Sequence, residues 1–124
     1  LVYLNLREYD KAIADYNQAI KLDPKDVHAF NNRGLVYLDL REYDKALADY
    51  NQAIKLDPQF VVAFNNRGLV YYYIKEYDKA IADYTQAIKI NPKYVYGYAG
   101  LCSVYRELKD YKKAVLPNLP CKIN

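Results

Sequence analysis

Covalent catalysis needs a nucleophile with a base in reach, and this chain offers few candidates. It carries one histidine, His28, one serine, Ser103, one threonine, Thr85, and two cysteines, Cys102 and Cys121. None has a clustered partner, no CxxC or Cys/His ligand spacing occurs, and a metal site needs several convergent ligands. Neither catalysis nor a metal nor a cofactor is therefore expected. His28 reads as a groove or surface residue and Cys102 as a small packing residue. Cys121 would react only if its surroundings lowered its pKa. What the chain does hold is recognition chemistry. Its asparagines can both donate to and accept from a peptide backbone, and its 16 tyrosines can act as aromatic anchors.

These groups are positioned by a repeat. The stretch NNRGLVYLDLREYDKALADYNQAIKLDP, Asn31 to Pro58, returns 34 residues later as NNRGLVYYYIKEYDKAIADYTQAIKINP, Asn65 to Pro92. Tyr3 to Pro24 matches its second part, and Tyr98 to Ala114 follows the same plan more loosely. A fixed period outranks length as a guide to architecture, and such units bury their apolar faces mainly against their neighbours.

Within a unit, Phe30, Gly34 and Tyr37 recur at helical spacing, as do Tyr43, Ala46, Leu47, Tyr50, Ala53 and Ile54. The two apolar phases do not join smoothly, so Asp39 to Glu42 must contain a turn between paired helices. Each second helix ends at Asp23-Pro24, Asp57-Pro58 or Asn91-Pro92, because the residue before proline is pushed out of helical geometry; the Asp or Asn can cap the next helix. The expected pairs are 1–6 with 8–21, 27–40 with 42–55, 61–74 with 76–89, and 95–108 with 110–116. Pro117 and Pro120 stop the last one, leaving 117–124 as a tail. The array thus reads as a partial repeat at 1–24, complete repeats at 27–60 and 61–94, and a degenerate one at 95–116.

Composition narrows the partners. Net charge is +3, with 18 basic and 15 acidic residues interspersed, so there is no basic stripe to track nucleic-acid phosphates. No membrane span is expected, since the longest apolar candidate, Leu69 to Ile74, contains three tyrosines. Two cysteines are too few for a disulfide framework, and a reducing compartment such as the cytoplasm is favoured. The chain has no methionine and Leu1 begins inside a repeat, so it reads as a fragment.

The pattern Phe30-x-x-Arg33-Gly34-x-x-Tyr37, then Ala46-x-x-x-Tyr50, then Pro58, resembles the tetratricopeptide repeat. Phe64, Gly68, Tyr71, Ala80, Tyr84 and Pro92 carry the same landmarks. Tyr3, Ala12, Tyr16 and Pro24 carry them in the first copy; Tyr98, Cys102, Tyr105 and Ala114 do so in the last. The resemblance implies an all-α, right-handed superhelical solenoid of antiparallel helix pairs. Gly34, Gly68, Cys102, Ala46 and Ala80 keep their helices thin where a neighbour approaches. Arg33 and Arg67 depart from the family's usual leucine, and Asp49 and Asp83 follow each by 16 positions. An ion pair between paired helices is one reading; an arginine stem over the apolar seam with its head in water is the other.

The resemblance further implies that first helices line a concave groove. That face holds His28, Asn31, Asn32, Leu35, Leu38 and Asp39 in one copy and Asn65, Asn66, Leu69, Tyr72 and Tyr73 in the next. Tyr96, Ser103 and Arg106 represent it in the last copy, beside Ala99 and Gly100. Asn32 and Asn66 are similar to the asparagine ladder of the repeat domain of O-linked N-acetylglucosamine transferase, which Gly100 interrupts here; local bonding within the array is the alternative. Tyr72 and Tyr73 replace Leu38 and Asp39, marking either specialised recognition or tolerated drift. Some members clamp a chaperone's C-terminal carboxylate with lysines and arginines, but on this face only Arg106 is basic, apart from titratable His28. The expected function is a protein-interaction scaffold that takes a peptide or partner segment in the groove. The alternatives are an assembly module forming homo-oligomers through uncapped repeat ends and a docking part of a larger enzyme.

Overall fold

The computed structural model describes residues 6–109 and Cys121. The chain divides into two compact units, Leu1–Phe60 and Val61–Asn124. The described residues form six α-helices and no strand. Unit 1 contains α1 (Leu6–Leu22), α2 (Val27–Asp39) and α3 (Tyr43–Leu56); unit 2 contains α4 (Val61–Tyr73), α5 (Tyr77–Ile90) and α6 (Val95–Glu107). The expected helix 110–116 and tail 117–124 lie outside the described residues except for Cys121.

Helices α2 and α3 pack antiparallel, as do α4 and α5. Arg33 meets Asp49 and Tyr37 meets Lys45, so one residue number falls as its partner's rises; Arg67 with Asp83 and Tyr71 with Lys79 repeat this in unit 2. The turn between α2 and α3 follows from backbone bonding. Arg41 takes φ 60°, its N–H donates to the Leu38 carbonyl at 2.9 Å and the Glu42 N–H donates to that of Tyr37 at 2.8 Å. This double closure satisfies carbonyls that the helix end would leave free. Lys75, at φ 64°, makes the same turn between α4 and α5, and Lys109, at φ 57°, follows α6.

Two sequence expectations need correction. Asp23, Asp57 and Asn91 do not cap the next helix: each side chain accepts from the backbone N–H two residues on, holding the turn around its proline. The N-cap of α2 is Asp26, whose carboxylate accepts from Ala29 at 3.1 Å. The break expected between Leu6 and Glu8 is also absent. Both Leu6 and Arg7 belong to α1, and leucine and arginine are good helix formers.

Small residues set the interhelical distance. Ala46 and Ala80 are fully buried, and a Cβ on Gly34 would come 2.7 Å from the Tyr50 ring. Gly68 stands 3.0 Å from Tyr84 by the same measure. Cys102 fills the corresponding position of α6 and is buried, but it is more than a packing residue. It is bonded to Cys121, with Cα atoms 5.5 Å apart, where the sequence suggested two free thiols. A separation of 19 residues matches no local motif, so only the fold reveals the pairing. Cys121 thereby joins the core of unit 2, against the cluster of Ala80, Tyr84, Leu101 and Val104.

The ion-pair reading of the arginines is the one the structure shows. Arg33 grips Asp49 with Nε and Nη2 at 2.8 and 2.6 Å, and Arg67 grips Asp83 at 2.8 and 2.7 Å. Each fork is bidentate, and the guanidinium also lies over two rings, Phe30 and Tyr37 in unit 1 and Phe64 and Tyr71 in unit 2. Arg33 additionally donates to Asn17 of α1 at 2.8 Å, joining all three helices of its unit. The hydrogen bonds to Asp49 hold the Arg33 guanidinium above its ordinary pKa. Burial pushes the Asp83 carboxyl upward, and the Arg67 fork offsets part of that push.

Candidate functional site

Unit 2 carries an open hollow of about 240 Å³ between α4 and α6, over α5. Helix α4 contributes Asn65, Leu69 and Tyr72, spaced to share one face. Helix α6 contributes Tyr96, Ala99, Gly100 and Ser103 by the same periodicity, and Tyr84 of α5 also lines the space. The Tyr84 ring depends on Gly100. An added Cβ there would fall 2.4 to 2.6 Å from three ring atoms, a separation that real side chains do not show. Where the earlier copies place Asn32 and Asn66, the absence of a side chain admits an aromatic ring.

The lining is uncharged: among the described residues no lysine, arginine, aspartate or glutamate borders it. Burial pushes the Tyr84 hydroxyl well above its usual pKa, with smaller contributions from Tyr73, Tyr72 and Asp83. Burial also raises that of Tyr72, aided by the neighbouring Glu107 carboxylate. The Ser103 hydroxyl is committed to the Ala99 carbonyl of its own helix at 3.1 Å. Asn65 Oδ1, by contrast, is buried and lacks a hydrogen-bond donor. A buried amide oxygen without a donor is costly, and an incoming N–H or O–H would relieve it.

The structure thus brings Asn65, Leu69, Tyr72, Tyr96 and Ser103 of the expected groove around one space. Asn66 is buried and Tyr73 and Arg106 are exposed, and none of these three borders the hollow. In unit 1, Asn31 and Leu38 are buried, Asn32 is half-buried, and Leu35 and Asp39 are exposed on α2. His28 is also exposed and meets the Phe60 ring edge-on at 5.4 Å. Burial raises the Asp39 carboxyl pKa, against a hydrogen bond from Tyr9. Sequence reasoning treated Tyr84 only as packing; its visible signal was that Gly100 interrupts the asparagines 16 residues after that tyrosine. Among the described residues no group of three His, Cys, Asp or Glu could hold a metal, and no helix is long and apolar enough to cross a membrane.

Family models described as tetratricopeptide repeat match residues 1–59 and 61–94. The chain belongs to the tetratricopeptide repeat family. No curated protein matches it in sequence. Among solved structures, this tetratricopeptide repeat chain is similar to the second such domain of human RPAP3, determined in complex with the HSP70 peptide SGPTIEEVD. The likeness has 27% identity and a TM-score of 0.73, over 77% of this chain and 80% of that one. It is also similar to the Arabidopsis OM64 domain, at 25% identity and a TM-score of 0.78 over 82% and 84% of the two chains. MamA gives 26% identity and 0.79 over 91% and 70%. The fold is accordingly an all-α tetratricopeptide helical repeat.

Proposed function

We propose that the chain is a protein-interaction scaffold whose second unit holds a peptide, or an extended partner segment, against α4 and α6. The observation that carries this reading is the uncharged hollow in which Asn65, Leu69, Tyr72, Tyr96 and Ser103 converge around Tyr84. Partly exposed tyrosines supply anchors, and the carboxamide supplies backbone recognition. The peptide held by the similar RPAP3 domain supports the same class of ligand. On α2, His28, Asn31, Asn32, Leu35, Leu38 and Asp39 belong to the corresponding face of unit 1 in this reading. A non-enzymatic role accords with a serine bonded to its own helix and a histidine set against an aromatic ring.

A random peptide library displayed on phage and selected on the immobilised chain tests the proposal. Selected peptides should lose at least about tenfold in affinity on Tyr96→Ala and Leu69→Ala, each of which removes an anchor. Recovery of a peptide family that binds both variants unchanged would reject this site.

Self-association is a second reading, favoured by the exposed apolar side chains of Leu22, Tyr73 and Val95. Sedimentation equilibrium over a hundredfold concentration range separates the two, and a constant monomer mass would remove assembly.

A further inference from the structure

Resting on the peptide-scaffold reading, we infer that the hollow is a subsite for one uncharged aromatic side chain bearing a hydrogen-bond donor, and that Gly100 is the residue that creates it. Size selects the occupant first. A volume of about 240 Å³ is below the range of pockets that enclose drug-sized ligands and suits a single side chain. Surface chemistry selects it second, because Tyr72, Tyr84 and Tyr96 surround the space, and aromatic rings gain from offset or edge-to-face contact beyond the area they bury.

Charge excludes the alternatives. The RPAP3-bound peptide SGPTIEEVD has an acidic C-terminal end, whereas no cation among the described residues borders this hollow to receive a carboxylate. Among the described residues no carboxylate lines it to receive a lysine, and the Glu107 carboxylate nearby is engaged by Tyr72. Burying either charge unpaired would be strongly unfavourable. The donor requirement comes from Asn65, whose buried Oδ1 has no partner; a phenol O–H or indole N–H can supply one, and a phenylalanine ring cannot. Gly100 makes the arrangement possible, since any side chain at that position would displace the Tyr84 ring.

Small probes read this chemistry without a peptide backbone. Backbone-amide NMR shifts are followed while the folded chain is titrated with p-cresol, toluene, acetate or methylammonium. The expectation is that p-cresol moves Asn65, Ala99, Gly100 and Ser103 with a dissociation constant of about 1 mM. Toluene should bind about tenfold more weakly, and Asn65→Ala should abolish that difference. Neither ion should move these amides. Gly100→Ala should weaken p-cresol at least about tenfold. If it unfolds the unit, Ser103→Leu fills the hollow from an exposed position and should have the same effect. Acetate or methylammonium outcompeting p-cresol, or p-cresol leaving the four amides unmoved, would overturn the inference. Peptides captured through Tyr96 while p-cresol fails to bind would remove this subsite and leave the scaffold reading. Bound p-cresol with no peptide captured would do the reverse.

Discussion

Replacing Arg33 with leucine, the residue that α6 carries at the same repeat position as Leu101, should destabilise the protein more than replacing both members of its ion pair. The Asp49 side chain is 4% exposed and receives both arms of the fork, so Arg33→Leu leaves a buried carboxylate without its cation. Breaking such a pair from one side costs about 3–5 kcal/mol when burial is complete. Arg33 is 20% exposed, so water can reach the site, and we expect about 2–4 kcal/mol. Asp49→Leu should cost less, about 1–2 kcal/mol, because the guanidinium keeps Asn17, two ring faces and some solvent. The double variant buries no orphaned charge and should be more stable than Arg33→Leu alone, giving a coupling of about 2 kcal/mol. Urea unfolding followed by circular dichroism at pH 7 measures all four corners of the cycle. Single costs that add within about 0.5 kcal/mol would refute the claim that Arg33 and Asp49 act as one unit.

The other predictions concern turns, tyrosines and the disulfide. Arg41→Gly and Lys75→Gly should each raise stability by about 0.5–1 kcal/mol, seen as a higher Tm, because both positions hold positive φ angles that glycine adopts without strain. Tyr50→Phe should be neutral or stabilising at pH 7, because it removes a buried hydroxyl without a partner. Burial also pushes the pKa of Tyr50 and Tyr84 upward in the fold. Stability from these groups is therefore intact below the unfolded tyrosine pKa of about 10 and is lost above it, at about 1.4 kcal/mol per pH unit for each group. Stability measured from pH 9 to 11 should decline less steeply in Tyr50→Phe than in the parent. Reduction of Cys102–Cys121 should cost about 3 kcal/mol through the freed 19-residue span, and Cys102→Ser should abolish the response to reductant in urea unfolding.

The parts legible in sequence were those that recur with the period. Arg33 with Asp49 and Arg67 with Asp83 stand 16 apart twice, so their contact could be read before any geometry, as could the thinning of helices at Gly34, Gly68, Ala46 and Ala80. Properties set by depth or by a single copy were hidden. A helical wheel groups Asn31, Leu38 and Asn66 with exposed residues because it gives direction and not distance from solvent; all three are buried. Asp23 could offer its carboxylate to a helix or to a turn, and proline decided for the turn by separating it from the next helix start. The Cys102–Cys121 bond and the Gly100–Tyr84 contact each occur in one copy, so the period carries no sign of them.

The subsite proposed in unit 2 draws on departures from the repeat, while its frame draws on adherence to it. Arg67, Gly68, Ala80, Asp83 and Tyr84 repeat the types found in unit 1 and fix the spacing of their helices through a fork and a glycine–ring contact. Of the lining positions, Asn65, Leu69 and Tyr84 also repeat, whereas others differ: Leu38 becomes Tyr72, His28 becomes Tyr96, Asn32 becomes Gly100 and Leu35 becomes Ser103. A frame held by one set of residues leaves the other set free to vary in chemistry. Because Tyr96 is 68% exposed, its loss should change stability by no more than about 0.5 kcal/mol while removing one wall of the hollow. Loss of recognition can then be separated from loss of folding, which is the physical condition for one helical frame to serve different partners.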